Sequence, residues 1–80
     1  MVYRDAGRHL VADSLEELHA FAARAGIKRC WFDADRSGGK PHYDIPLFVL
    51  RDGSLLLSLE TTLVDSRKIL EVSKRLGRRR

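Results

Sequence analysis

The stretch SLEELHAFAARAG, residues 14–26, is the strongest structural signal in the chain. Ser14 is a favourable N-cap, and Glu17 three residues later completes a capping box. Apolar side chains recur at helical spacing and form one stripe, made of Leu15, Leu18, Phe21, Ala22 and Ala25. Gly26 follows, a residue that ends helices because it adopts the left-handed conformation without strain. The stretch predicts a helix over residues 15–25.

The segments on either side of this helix favour strands. Residues 1–4 contain Val2 and Tyr3, which prefer extended backbone, and residues 5–9 are typical of a turn. Residues 27–32 predict a second strand, in which Cys30 is a buried thiol beside Trp31. Strand, helix and strand in this order predict a right-handed βαβ unit. Residues 33–41 are polar and glycine-rich, which indicates a loop.

Residues 47–60 are predicted to form a β-hairpin. A two-residue turn at Asp52-Gly53 places four side chains on its core face, namely Phe48, Leu50, Leu55 and Leu57. The opposite face is also apolar, with Leu47, Val49 and Leu56. That face needs a cover, either the last helix or a second copy of the chain in a homodimer. A helix over residues 54–63 stays open, because consecutive leucines carry no clear period.

The last helix is predicted from residue 65 onward. Asp65 or Ser66 caps it, and Gly77 ends it. Its inner stripe consists of Ile69, Val72, Ser73 and Leu76. We therefore expect one small α/β domain over residues 1–77, in which a βαβ unit is followed by a β-hairpin and a C-terminal helix. Residues 78–80 form a basic tail.

The positive charge of the chain is concentrated at its C-terminal end. The formal net charge is +4, but residues 65–80 hold seven of the 15 Lys and Arg residues against two acids. Arg75, Arg78, Arg79 and Arg80 are therefore candidates for contacts with a protein or nucleic-acid partner, through salt-sensitive phosphate binding in the second case. A solvated helix end explains the same charges without a partner.

Cysteine content and hydropathy bear on the compartment. Cys30 is the only cysteine, so no intrachain disulfide is possible and a reducing compartment is favoured. The sequence has no signal-peptide pattern and no apolar run of membrane-spanning length. We expect a cytoplasmic protein that does not insert into a membrane.

Three histidines stand close to carboxylates in the sequence. In the βαβ arrangement, His9, Asp13, His42 and Asp44 converge at the C-terminal edge of the sheet, where α/β folds place ligands. His9, His42 and Asp44 then suit a divalent ion such as Zn²⁺, Mn²⁺ or Fe²⁺. The alternative is that these groups only cap loops and helix ends, since none of the fixed spacings of known zinc sites is present.

The sequence also resembles a known family. HLVADSLEELHAFAARAG at residues 9–26, WF at 31–32 and PHYDI at 41–45 are similar to short bacterial and phage proteins known only as a domain of unknown function. The shared positions are Asp5, His9, Asp13, Glu17, His19, Trp31, His42, Tyr43 and Asp44, within residues 2–45. The resemblance implies that the matched His and Asp residues act together in a polar pocket. It also implies a phage or mobile-element origin.

Two functional interpretations follow. In the first, which we favour from the sequence, the chain is a binding module for a protein or nucleic-acid partner, because 80 residues leave little room for both a core and a substrate cleft. In the second, it is a small metal-assisted hydrolase of phosphoesters. There His9, His42 and Asp44 are ligands, Asp5 or Asp13 is the base, and His19 is an acid or supporting group.

Overall fold

A computed structural model describes residues 1–78 and confirms the first helix, α1 (Leu15–Arg24). The Glu17 backbone N–H donates to Ser14 Oγ at 3.1 Å, as the capping motif predicts. After α1 the chain turns at Gly26, which has a φ of 79°. A side chain there would be strained by this left-handed conformation.

The sheet has four short strands in the order β3-β2-β1-β4. They are β1 (Val2–Arg4), β2 (His9–Ala12), β3 (Tyr43–Asp44) and β4 (Thr62–Leu63). Strand β2 is antiparallel to β1 and β3, while β4 is parallel to β1. The predicted βαβ unit is therefore wrong: an N-terminal hairpin precedes α1, because the chain reverses at residues 5–8, where Arg8 has a φ of 71°.

Residues 27–32 do not form the predicted strand. A 3-10 turn covers Arg29–Trp31, closed by hydrogen bonds from Trp31 N–H to Lys28 O and from Phe32 N–H to Arg29 O. These backbone groups are bonded locally, so they are not available to a neighbouring strand. Cys30, predicted as buried, is exposed.

The predicted β-hairpin is also wrong, because residues 47–60 are helical. They form α2 (Leu47–Asp52) and α3 (Ser54–Glu60), as the alternative for residues 54–63 allowed in part. A hairpin turn of the usual type requires positive φ angles, whereas Gly53 has a φ of −104°. The helical period also changes the core: Val49 and Leu57 are buried, while Phe48 and Leu55 are exposed.

The last helix, α4 (Ser66–Arg78), is confirmed, as is the α/β class. Lys68 N–H donates to Asp65 Oδ1 at 2.9 Å, and the whole predicted inner stripe is buried. The helix continues through Gly77 instead of ending there. Glycine is required at position 77 for packing, because a Cβ there would collide with the backbone carbonyl oxygen of Gly39.

Helices cover both faces of the sheet. Leu10 and Ala12 of β2 pack with residues of α1, whereas Val11 packs with Ile69 and Val72 of α4. Alternate residues of a strand point to opposite faces, so β2 supplies both layers of the core. No helix within residues 1–78 is long and apolar enough to cross a membrane.

Candidate functional site

A pocket of about 440 Å³ lies beside the first half of α4 and the loop that follows the 3-10 turn. Its lining consists of Asp5, His9, Asp33, Asp35, Lys40, His42, Ser66, Ile69, Leu70 and Ser73. The chain thus has room for both a core and a cleft, which removes the premise on which a pure binding module was favoured.

His9 is held by the buried carboxylate of Asp5, whose side chain is 3% exposed. The Asp5 carboxylate accepts hydrogen bonds from the His9 backbone N–H at 2.9 Å and from His9 Nδ1 at 3.0 Å. Burial acts to raise the pKa of Asp5, but the hydrogen bonds from His9 outweigh it and keep the pKa below its ordinary value. An ionised carboxylate only accepts, so Nδ1 of His9 carries a proton and Nε2 is left for the pocket.

His42 is held in the same way by a backbone carbonyl. Its Nδ1 donates to the carbonyl oxygen of Lys40 at 2.8 Å, so Nε2 is again the free ring nitrogen. That nitrogen lies 3.8 Å from a carboxylate oxygen of Asp33 and 3.8 Å from one of Asp44. His42 and Asp33 also exchange both backbone hydrogen bonds, which fixes their spacing.

The sheet brings the two imidazoles together. His9 pairs with Asp44 across β2 and β3, and the ring centres of His9 and His42 are 5.8 Å apart. His9, His42 and Asp44, which we expected to converge with Asp13, form a spatial cluster with Asp5 beside His9 instead. Antiparallel pairing of β2 with β3 produces it, not the parallel edge expected from a βαβ unit.

Asp13 lies outside this cluster. It follows the far end of β2, about 13 Å from His9 at the rise of an extended strand. Its carboxylate accepts hydrogen bonds from the Met1 ammonium at 3.0 Å and from the Tyr3 hydroxyl at 3.2 Å. Burial acts to raise the pKa of Asp13, but the bonds from the ammonium and from Tyr3 lower it overall.

His19 lies on the opposite face of the sheet from the pocket. Its Nδ1 is hydrogen-bonded to the Tyr43 hydroxyl at 2.8 Å, and its ring packs edge-on against Phe32. Burial, and secondarily the charge of Arg29, lower the pKa of His19. Burial likewise raises the pKa of Tyr43. In extended backbone, Tyr43 points to the opposite face from its neighbours His42 and Asp44. His19 is bonded to Tyr43, so it lies on the opposite face from them.

Several lining residues were not predicted from the sequence. Asp33, Asp35 and Lys40 lie in a segment that indicated only a loop, and Ser73 lies in α4. Asp35 adopts a φ of 44° and accepts a hydrogen bond from Lys40 N–H at 3.2 Å. Ser73 Oγ donates to the Pro41 carbonyl at 2.9 Å and thereby ties the loop to α4. The one available signal was Ser73 itself, a polar residue within the apolar stripe of a helix.

Carboxylates dominate the charge near the pocket. Among the described residues that line the pocket, the carboxylates of Asp5, Asp33 and Asp35 face one ammonium, that of Lys40. Asp44 adds a further carboxylate close to His42. Within residues 1–78, no group of three or more His, Cys, Asp or Glu side chains is arranged so that it could hold a metal ion. The two anchored imidazoles with adjacent carboxylates are nevertheless the side-chain types that divalent transition metals bind.

Two of the predicted partner-binding arginines, Arg75 and Arg78, are not among the residues that line the pocket. Arg75 and Arg78 are exposed on α4. Arg79 and Arg80 lie outside the described residues.

Comparison with known proteins identifies a family. A family model described as a protein of unknown function (DUF4031) matches residues 3–76. This confirms the resemblance to a family of unknown function and extends it through α4. Neither the search of curated proteins nor the search of solved structures found a significant match.

Proposed function

The chain belongs to the DUF4031 family of proteins of unknown function, and we propose that its pocket binds a divalent metal ion and hydrolyses a phosphoester. The observation that carries this proposal is the shared anchoring of two imidazoles. Nδ1 of His9 is bonded to Asp5 and Nδ1 of His42 to the Lys40 carbonyl. Metal-binding histidines are typically anchored in this way, because the outer bond fixes the ring and leaves Nε2 for the ion.

The spacing of the rings fits one shared ion. With metal–nitrogen bonds of about 2.1 Å, two imidazoles on one tetrahedral ion have ring centres roughly 5 Å apart. The observed separation of His9 and His42 is 5.8 Å. Asp44 is the third ligand in our proposal, since its carboxylate is near Nε2 of His42 and its side chain is 72% exposed and free to rotate. Zn²⁺, Mn²⁺ and Fe²⁺ suit such a set.

The remaining groups have distinct roles in the hydrolysis. A bound ion would lower the pKa of a coordinated water toward neutrality. Asp33, which lies as close to His42 as Asp44 does, is placed to accept the water's proton. Asp5 is buried and bonded to His9, so we assign it a positioning role and not that of the base. Lys40 supplies a positive charge for the phosphoryl oxygens.

Metal content is the direct test. Protein purified without a histidine tag is titrated with Zn²⁺ and Mn²⁺ by calorimetry and assayed on a generic nitrophenyl phosphodiester. We expect one ion per chain, lost in His9→Ala and His42→Ala, and hydrolysis that chelators abolish. His19→Gln is the matched control, because His19 faces the other side of the sheet and should retain binding. Full binding by His42→Ala would refute the site.

Binding without catalysis is the second candidate function. Its support is α4, whose exposed surface carries Arg75 and Arg78 while its apolar stripe is buried. Such a helix would bind a protein or nucleic-acid partner in a salt-sensitive manner. Partner binding that is unaffected by chelators and by His42→Ala, but weakened by Arg75→Ala, would favour this candidate over the hydrolase.

A homodimer remains part of the proposal on separate grounds. Leu47, Leu55 and Leu59 of α2 and α3 are at least 70% exposed. An apolar surface of this kind is typical of an interface between chains. Light scattering coupled to size-exclusion chromatography measures the state directly, and a mass of one chain at high concentration would reject the dimer.

A further inference from the structure

Two aromatic side chains remain exposed at one edge of the domain. Trp31, at the end of the 3-10 turn, is 42% exposed, and Phe48 on α2 is 40% exposed. Their ring centres are 6.1 Å apart in an edge-to-face arrangement. About two fifths of each side chain is exposed, and that part of each ring is available to a ligand.

One cation lies against this aromatic pair, and a second lies against the next ring along the chain. The Lys28 ammonium lies 5.4 Å from the centre of the Trp31 ring. The Arg29 guanidinium lies 5.4 Å from the centre of the neighbouring Phe32 ring. Exposed aromatic rings interleaved with Lys and Arg are the surface on which single-stranded nucleic acids bind, with bases stacked and phosphates paired. The C-terminal basic segment lacks such rings, so this surface lies elsewhere than the sequence suggested.

The aromatic pair is close in sequence to a residue that lines the two-histidine pocket. Trp31 precedes Asp33 by two residues, and Phe32 between them has the extended angles φ −66° and ψ 127°. Across one extended residue, the backbones of its two neighbours lie about 7 Å apart. Asp33 lines the pocket and exchanges backbone hydrogen bonds with His42.

We propose that Trp31 and Phe48 form a stacking site for a base of single-stranded nucleic acid, with a neighbouring phosphate of that strand at the pocket. The inference rests on the proposed phosphoester hydrolysis and names its substrate class. A base that stacks on Trp31 displaces Lys28, whose ammonium then pairs with a backbone phosphate. A duplex does not satisfy the site, because its bases are already stacked on one another.

A second copy of the chain fits this edge less well. In a two-fold dimer the same patch occurs on both sides, so Lys28 and Arg29 of one copy face the same charges of the other. Phosphates supply the opposite charge.

Trp31 is the only tryptophan, so its fluorescence reports this site alone. Titration with a short oligothymidylate should give saturable quenching that weakens as salt is raised. Phe48→Ala should weaken binding about 5- to 150-fold, the loss that corresponds to one stacked base. Leu63→Ala is the matched control, because Leu63 is an exposed apolar residue of β4, at the opposite edge of the sheet from β3. It should bind as the parent protein does.

Binding and hydrolysis fail separately in this design. His42→Ala should abolish hydrolysis and leave the quenching, whereas Phe48→Ala should weaken binding in protein that still takes up metal. If Phe48→Ala proves misfolded by circular dichroism, Lys28→Ala takes its place and should reduce the slope of affinity against salt. Any of four results would overturn the stacking site. The oligothymidylate does not quench Trp31, Phe48→Ala binds it as tightly as the parent protein, or a duplex binds equally well. The fourth is a fluorescence change that depends on protein concentration and not on added oligonucleotide.

Discussion

Replacing Asp5 by Asn changes one oxygen for an amide nitrogen at the centre of the proposed site. In the parent protein the buried carboxylate accepts two hydrogen bonds, from the His9 backbone N–H at 2.9 Å and from His9 Nδ1 at 3.0 Å. An Asn side chain has one oxygen, so it can accept only one of these bonds in the same orientation. Its NH₂ group would face Nδ1 of His9 and favour the tautomer that carries the proton on Nε2.

Two losses follow from this change. One charge-assisted hydrogen bond to a buried group is removed, and the free energy of unfolding should fall by about 1–3 kcal/mol. In a domain of this size that lowers the melting temperature by roughly 4–8 °C for each kcal/mol. Because Nε2 no longer offers its lone pair, metal affinity should also fall about 10- to 100-fold.

The acid dependence of stability gives an independent readout. The pKa of Asp5 in the folded protein is below the ordinary 3.8, so between these values the unfolded chain takes up a proton that the folded chain does not. Stability due to Asp5 is therefore complete above pH 3.8 and is lost as the pH falls toward the folded pKa, by at most about 1.4 kcal/mol per pH unit. Asp5→Asn removes this contribution.

Urea denaturation at neutral pH and at several acidic pH values measures both effects. Asp52→Asn is the control, since Asp52 is 68% exposed and should change stability by less than about 0.5 kcal/mol. If Asp5→Asn matches the parent protein at neutral pH and follows the same acid dependence, the buried Asp5–His9 bond does not stabilise the fold and the reasoning is refuted.

Three further predictions concern the scaffold. Gly77→Ala should lower the melting temperature, because the new Cβ collides with the Gly39 carbonyl. At an unhindered helix position, replacing Gly by Ala would instead raise the free energy of unfolding by up to about 1 kcal/mol. A rise in the melting temperature of Gly77→Ala would therefore rule out the close contact. The lowered pKa of His19 predicts that stability falls as pH drops below 6.5, where the unfolded chain binds the proton first. His19→Gln should reduce this slope in denaturation curves, and an unchanged slope would assign it to other groups. Ser14→Ala should cost about 0.5–2 kcal/mol by removing the N-cap, and equal thermal stability would mean that the cap is dispensable.

Elements with strong local signals were predictable. The cap at Ser14, the apolar stripe that follows and Gly26 specify α1 through contacts only a few residues apart. The same holds for α4, where Asp65 caps the first turn. Capping and helical periodicity act within one or two turns, so they can be recognised without knowing what the helix packs against.

Residues 27–32 and 47–60 could not be assigned in this way. The apolar run around Leu55 satisfies strand and helix patterns equally, and the Asp52-Gly53 pair suggested a hairpin turn. Packing decided between strand and helix for residues 47–60. As helices, α2 and α3 bury Val49 and Leu57 in the core on one face of the sheet. A two-residue turn carries little energy against such burial.

The sequence by itself determined the α/β class, the first and last helices, α1 and α4, and most of the polar residues that gather near one site. It predicted that His9 and His42 converge, but only through a βαβ unit, and it could not say which strands pair to bring them together or that Asp13 lies apart. Only the tertiary structure decided that. Antiparallel pairing of β2 with β3 sets His9 beside Asp44 and His42, and strand alternation turns Tyr43, with His19, to the other face. The physical reason is that register and side-chain alternation depend on which strands pair, and pairing is settled by burial across the whole domain.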